Sequence, residues 1–174
     1  MRLPALLSIA TAALLAGCDG TSTSAPTDVT IPVFSADAAG QFVGAPMRGM
    51  NETPPVSSKA VGTATFRLSA DGTSLDYRLI VANIENAVQS HIHIGAPGVA
   101  GPFVVFLFGP VAGGISANGV LAEGTITQAN LVARPAIGFG GTMAELLAAM
   151  RSGNAYVNVH TVAHPAGEIR AQIR

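Results

Sequence analysis

His91-Ile92-His93-Ile94 sets two imidazoles at positions i and i+2. In a strand both rings leave one face while Ile92 and Ile94 leave the other. Imidazoles about 7 Å apart at Cβ can chelate one transition-metal ion, and this ligand suits copper or zinc. A solvated strand face holding two histidines by chance has the same pattern. The second histidine segment bears on that choice. In Tyr156-Val-Asn-Val-His-Thr161 the alternation groups Tyr156, Asn158 and His160 on one face, and His164 follows in the next loop, so all four histidines fall in two segments. If pairing brings the two faces together, His91, His93 and His160 are the candidate ligands, with His164 as a weaker fourth. Three nitrogens would then sit about 2.0–2.1 Å from a zinc ion, or at a similar distance from copper. Neutral imidazole is the ligand form, so solvated ligands would lose the ion below a pH of about 6.5. In the competing arrangement His91 and His93 are hydrogen-bonded structural groups on the Tyr156 and Asn158 face, with no ion.

Four further residues are candidates for supporting such a site. Glu168 and Arg170 share the polar face of the last strand with Gln172, opposite Ile169, Ala171 and Ile173. They can lock that strand as a pair, or Arg170 can hold Glu52 from an earlier loop. Glu52 opens the string Glu-Thr-Pro-Pro, whose prolines forbid helix and strand interiors and make a rigid extended loop. Its carboxylate has three readings: solvated, bridged to Arg170, or a ligand. Asn158 or Glu52 could fix the tautomer of a ligating histidine.

Other chemistries are absent from the string. It has no Gly-x-Ser-x-Gly elbow, no His-Glu-x-x-His, no Walker loop and no dinucleotide fingerprint. A formal charge of −1 with 11% charged residues gives no electrostatic basis for binding nucleic acid. The single cysteine, Cys18, allows no disulfide. It follows Met1-Arg2, an apolar run from Leu3 to Leu15, and Ala16-Gly17, which is the grammar of a secretory signal. Leu15-Ala16-Gly17-Cys18 resembles the lipobox of bacterial lipoproteins, in which the thiol is acylated after cleavage. The run is too short for a spanning helix. Residues 1–17 are therefore expected to be removed, with the mature protein held on a membrane by acyl chains worth about 0.8 kcal/mol per buried methylene. Residues 18–33, poor in apolar side chains from Asp19 to Thr30, read as a tether. Residues 34–174 form one domain. Its expected location is extracytoplasmic, in the periplasm or on the outer surface.

The elements that must position the histidines are mainly strands. Ala64, Phe66 and Leu68 share one face of a strand, and Leu75, Tyr77, Leu79 and Val81 share a face of its return partner. Between them Asp71-Gly72 supplies positive-φ positions. Phe103 to Phe108 is apolar without alternation, as in a strand covered on both sides. Gly119 to Thr127, Tyr156 to Thr161 and Glu168 to Ile173 complete the strands. Thr142-Met-Ala-Glu145 is a capping box that opens a helix over 142–151, with Met143, Leu146, Leu147 and Met150 as its apolar stripe and Gly153 as its stop. Ala129 to Gly141 reads as loop. The result is an all-β antiparallel sandwich or barrel with one late helix. Its expected core is Phe66, Leu79, Val81, Phe106, Val157, Val159 and Ile169.

Several strings in order, Phe42-Val-Gly44, Asn51-Glu-Thr-Pro-Pro-Val56, Gly62-Thr-Ala-Thr-Phe66, His91-Ile-His93 with Gly95-Ala-Pro-Gly98, and Tyr156 to Thr161 with Pro165-Ala-Gly-Glu-Ile-Arg170, resemble the CHRD domain, the module named after chordin. The resemblance spans roughly residues 34 to 174. Ile94 stands where many bacterial members carry Gly, and Ala171 replaces a frequent Gly. The resemblance implies an extracytoplasmic all-β domain and assigns no activity. The His-x-His strand in a Greek-key sandwich is also similar in style to copper-zinc superoxide dismutases. Three functions follow as expectations: a non-catalytic envelope binding domain with a protein or small-molecule partner, a copper- or zinc-handling protein, and a redox metalloenzyme.

Overall fold

The computed structural model describes residues 40–174. The leader, Cys18, the tether and residues 34–39 lie outside the described residues. Among the described residues seven strands and one α-helix follow in order: β1 (Gln41–Arg48), β2 (Val61–Leu68), β3 (Ser74–Ile94), β4 (Phe103–Phe108), β5 (Ile115–Thr127), α1 (Met143–Arg151), β6 (Ala155–Thr161) and β7 (Ile169–Gln172). Strands β2, β1, β7, β6 and β3 pair in that order, and β3 pairs back to β2. They close a five-stranded antiparallel barrel, with β4 and β5 added along β3. The fold is the expected all-β one.

Strand β3 organises this ring. Residues 75–82 pair with β2, whereas 87–94 pair with β6. Two non-glycine residues between these halves take positive φ, Asn83 (57°) and Asn86 (51°), and asparagine tolerates that region better than most residues. The register against β5 shifts across the same stretch, as expected of bulges that bend and twist a strand. Side chains of β5 satisfy the displaced amides. The Asn83 N–H donates to Asn118 Oδ1 (2.6 Å) and the Asn86 N–H to Ser116 Oγ (3.2 Å). Sequence alternation stops at Val81 and resumes near Gln89, so this reads as two strands in the sequence and is one in the structure.

The core fills the barrel from the inward faces. Phe66, Leu79, Val81, Val157, Val159 and Ile169 are all buried, as expected. Phe106 is not, at 42% exposed. It pairs opposite His91 and shares the outward face of the sheet. The lost alternation in β4 comes from a register shift that leaves both Val104 and Val105 buried, rather than from cover on both sides. In the β2–β3 turn only Gly72 takes positive φ (72°). Asp71 contributes instead by accepting from the Thr73 N–H at 3.0 Å.

Helix α1 starts as its capping box requires. Thr142 Oγ1 accepts from the Glu145 N–H (3.2 Å) and the Glu145 carboxylate accepts from the Thr142 N–H (2.9 Å). Met143, Leu146, Leu147 and Met150 are buried. The preceding loop holds two short 3₁₀ turns, Gln128–Asn130 and Pro135–Ile137. Its Arg134 donates to Phe103 O (2.7 Å) and stacks 4.2 Å from the Phe103 ring centre, holding β4 against the histidine strand.

Phe66 is 2% exposed at the centre of the barrel. Phe66→Ala removes a buried ring, a change that costs about 3–5 kcal/mol. Denaturant unfolding of the variant should show a midpoint lowered accordingly at unchanged slope; an unchanged midpoint would contradict this core.

Candidate metal centre

Pairing of β3 with β6 brings the two histidine segments together. His91 lies opposite Asn158, His93 opposite Tyr156, and His160 opposite Gln89. On the far side of β6, strand β7 sets Arg170 opposite Asn158 and Gln172 opposite Tyr156. The alternate residues Ile92, Val157, Val159 and Ile169 point into the core with no exposed surface, so the histidines occupy the outward face of a rigid wall. That face is roofed. His91, His93 and His160 are only 3%, 8% and 6% exposed, and one ligand atom from each lies within 4.8 Å of the others.

Hydrogen bonds fix the tautomers. His93 Nδ1 lies 2.8 Å from Gly101 O, and His160 Nδ1 lies 3.0 Å from Pro165 O. A carbonyl oxygen only accepts, so both Nδ1 atoms carry the proton and both Nε2 atoms present lone pairs. His91 Nδ1 stands 3.1 Å from His160 Nε2 and must donate to it, which leaves the His91 Nε2 lone pair free as well. Gly101 is needed at its position, because a Cβ there would overlap the Ile94 carbonyl oxygen. Its carbonyl also accepts from Tyr156 Oη (3.2 Å), and its N–H donates to that same oxygen (3.0 Å).

Aromatic rings wall the histidines in. Phe103 stacks on His91 at 4.9 Å between ring centres, and Phe106 meets it edge-on at 4.5 Å. Tyr156 lies nearly parallel to His93 at 4.7 Å, and the Arg170 guanidinium sits 3.4 Å from the Tyr156 ring centre. Because β6 runs between β3 and β7, Tyr156 is flanked by His93 and Arg170. Residue pattern alone did not single out Phe103, Gly101 or the ring of Tyr156 as parts of the site. The sequence signal for Tyr156 is its place on the His160 face.

The supporting residues are placed differently from each other. Arg170 is 2% exposed, and its Nη2 donates to Ala96 O (3.2 Å), Val99 O (3.0 Å) and Gln172 Oε1 (3.4 Å). It forms no ion pair with Glu168 or Glu52; the ion pairs among the described residues join Arg67 to Asp76 and Arg78 to Glu123. Glu168 instead accepts from Ser58 Oγ (2.6 Å) and Thr161 Oγ1 (2.7 Å), tying a loop to the end of β6. Glu52 is 7% exposed, which removes the solvated reading of its carboxylate. It packs toward Asn158 across the space where Gly167 has no side chain: a Cβ at Gly167 would overlap Glu52 Oε1 and approach Asn158 Nδ2 to 2.8 Å. His164 stands apart from the three clustered histidines. It is half-buried in the β6–β7 turn, where its carbonyl accepts from the Gly167 N–H (3.0 Å).

Burial sets the protonation states. Desolvation first, then the neighbouring histidines, holds His91 down at about 3. Desolvation likewise holds His93 at about 4 against the opposing pull of Gly101 O, and it lowers His160. Glu52 moves the other way. Desolvation raises it to about 7, and the Arg170 charge and the Asn158 amide only partly offset this. The cluster is therefore three neutral imidazoles, the form a metal requires.

The donor set fits a transition ion by a second criterion. Four buried side-chain atoms lack a hydrogen-bond partner among the described residues: His91 Nε2, His93 Nε2, Asn158 Oδ1 and Glu52 Oε1. Each orphan costs about 1–3 kcal/mol, and all four belong to this patch. A groove of about 790 Å³ between Pro46, Met50 and Pro97 reaches Glu52 and Arg170, but none of the three histidines lines it.

An antiparallel barrel with a roofed three-histidine cluster on its outer wall defines an all-β barrel domain. A profile of the CHRD domain matches residues 43–173. The chain belongs to the CHRD family. No curated protein and no solved structure matches it.

The low histidine values predict the pH dependence of the metal-free protein. Their unfolded pKa is about 6.5, so below that pH the unfolded chain takes up protons that the folded one refuses. Stability present above pH 6.5 is lost as pH falls toward about 4. Glu52 opposes one histidine, because its raised value makes the folded state the better proton binder between about 4.5 and 7. The melting temperature should therefore fall from pH 6.5 to 4.5, less steeply than three histidines alone would give. A flat profile would contradict three buried neutral rings.

Proposed function

We propose that this CHRD domain binds one copper or zinc ion through His91, His93 and His160 while an acylated Cys18 holds it on the extracytoplasmic side of a bacterial membrane. The observation that carries the metal assignment is a buried group of three imidazoles with ligand atoms within 4.8 Å of one another, in which the Nε2 atoms of His91 and His93 are orphaned and the Nδ1 protons of His93 and His160 are committed to carbonyls. Gly101 O and Pro165 O would be the outer partners that keep two of the rings aimed. The His91–His160 hydrogen bond must open for both to ligate. The lipid anchor rests on Leu15-Ala16-Gly17-Cys18 behind the apolar run.

Calorimetric titration of the purified protein with Cu²⁺ and Zn²⁺ tests the site. One ion per chain is expected, with binding lost in the His91→Ala/His93→Ala double variant. Because burial already keeps the imidazoles neutral, affinity should persist well below the pH of about 6.5 at which solvated imidazoles protonate. A flat titration of wild type removes the assignment.

Fractionation tests the anchor. Cys18→Ser should leave the membrane fraction or accumulate unprocessed; a variant that is trimmed normally and stays on the membrane contradicts acylation at Cys18.

A further inference from the structure

Resting on that metal assignment, we infer that the ion keeps one position for an exchangeable water, that Asn158 holds this water with Glu52 behind it, and that a small anion can take its place. The cluster offers three ligands among the described residues. Three histidines on zinc characteristically leave a fourth position to solvent or substrate. Ligation by the rings accounts for the orphaned Nε2 atoms of His91 and His93 but leaves Asn158 Oδ1 and Glu52 Oε1.

Asn158 is placed to serve that fourth position. It lies opposite His91 on the neighbouring strand and two residues before His160 on the same face, so its amide stands among the ligands. An amide oxygen only accepts, and a metal-bound water is a donor. On the other side, Asn158 Nδ2 and Glu52 Oε1 both border the gap left by Gly167. With Nδ2 turned toward the carboxylate, Oδ1 is turned away from it. One ion carrying one water thus satisfies three of the four orphaned atoms, the Nε2 atoms of His91 and His93 and Asn158 Oδ1. The surrounding rings limit what can enter. Phe103 and Phe106 cover His91 and Tyr156 covers His93, so the replacing ligand has the size of a few atoms. Phe106, 42% exposed, stands at the solvent rim. Arg170, stacked on Tyr156, adds a positive field that favours an anion.

The test uses Co²⁺ as a spectroscopic substitute for zinc and azide as the anion. Wild type should bind one Co²⁺ per chain, and azide should then shift its visible bands to a saturable end point. Asn158→Leu removes the water's acceptor without adding a ligand. It should still bind one Co²⁺, and it should bind azide about fivefold more tightly, the equivalent of one hydrogen bond no longer holding the water. One Co²⁺ per chain with bands that azide leaves unchanged means a closed site and overturns the inference while sparing the metal assignment. Loss of Co²⁺ from a folded Asn158→Leu variant makes Asn158 a ligand and also overturns it. Unchanged azide affinity in that variant refutes the role of Asn158. If Asn158→Leu does not fold, the azide titration of wild type still decides whether the position is open. Failure of wild type to bind Co²⁺ overturns the metal assignment and this inference with it.

Discussion

The structure depends on one strand serving two sets of partners. A flat strand of the 21 residues in β3 would run about 70 Å, far beyond a domain of this size. The left-handed conformations of Asn83 and Asn86 break it into two runs, and side chains of β5 take up the amides that the bends release. The first run closes the barrel against β2. The second presents His91 and His93 to β6. A one-residue change in the number of bulged positions would turn Ile92 outward and bury the histidines in the core.

The same wall explains why three imidazoles can be packed so closely. Their inward neighbours are aliphatic and fully buried, which leaves the strands little freedom to separate. The roof of loops removes solvent, and removing solvent favours the uncharged ring. Arg170 belongs to that roof. Its Nη2 is spent on the carbonyls of Ala96 and Val99, so it pins the β3–β4 loop that also delivers Gly101 O to His93. A surface face has thereby become an interior without leaving the outside of the barrel.

Much of this was legible in the residues, for identifiable reasons. The β2–β3 hairpin, helix α1 and the C-terminal strand pair carry clean periodicity or capping chemistry, and the structure has each of them. The His91, His93 and His160 grouping needed only the period of two and the pairing of two strands. What the sequence hid were features without a periodic signature. The continuity of β3 runs through a stretch where alternation fails. Phe106 looked like core because a bulge removed the alternation of β4. The burial of Glu52 is set by a glycine more than a hundred residues away, and two of the three hydrogen-bond partners of Arg170 are backbone carbonyls, which no side-chain pattern encodes.

The stacking of Tyr156 on His93 also gives the protein an optical property. The chain has no tryptophan and two tyrosines, so its near-ultraviolet emission comes from Tyr77 and Tyr156 alone. Tyr77 sits on the barrel strand β3 with its hydroxyl on Leu107 O (2.7 Å), whereas Tyr156 lies flat against an imidazole of the cluster. One of the two emitters is thus part of the site itself. The native protein carries its own fluorophore there, and events at the histidines can be followed by light without a label.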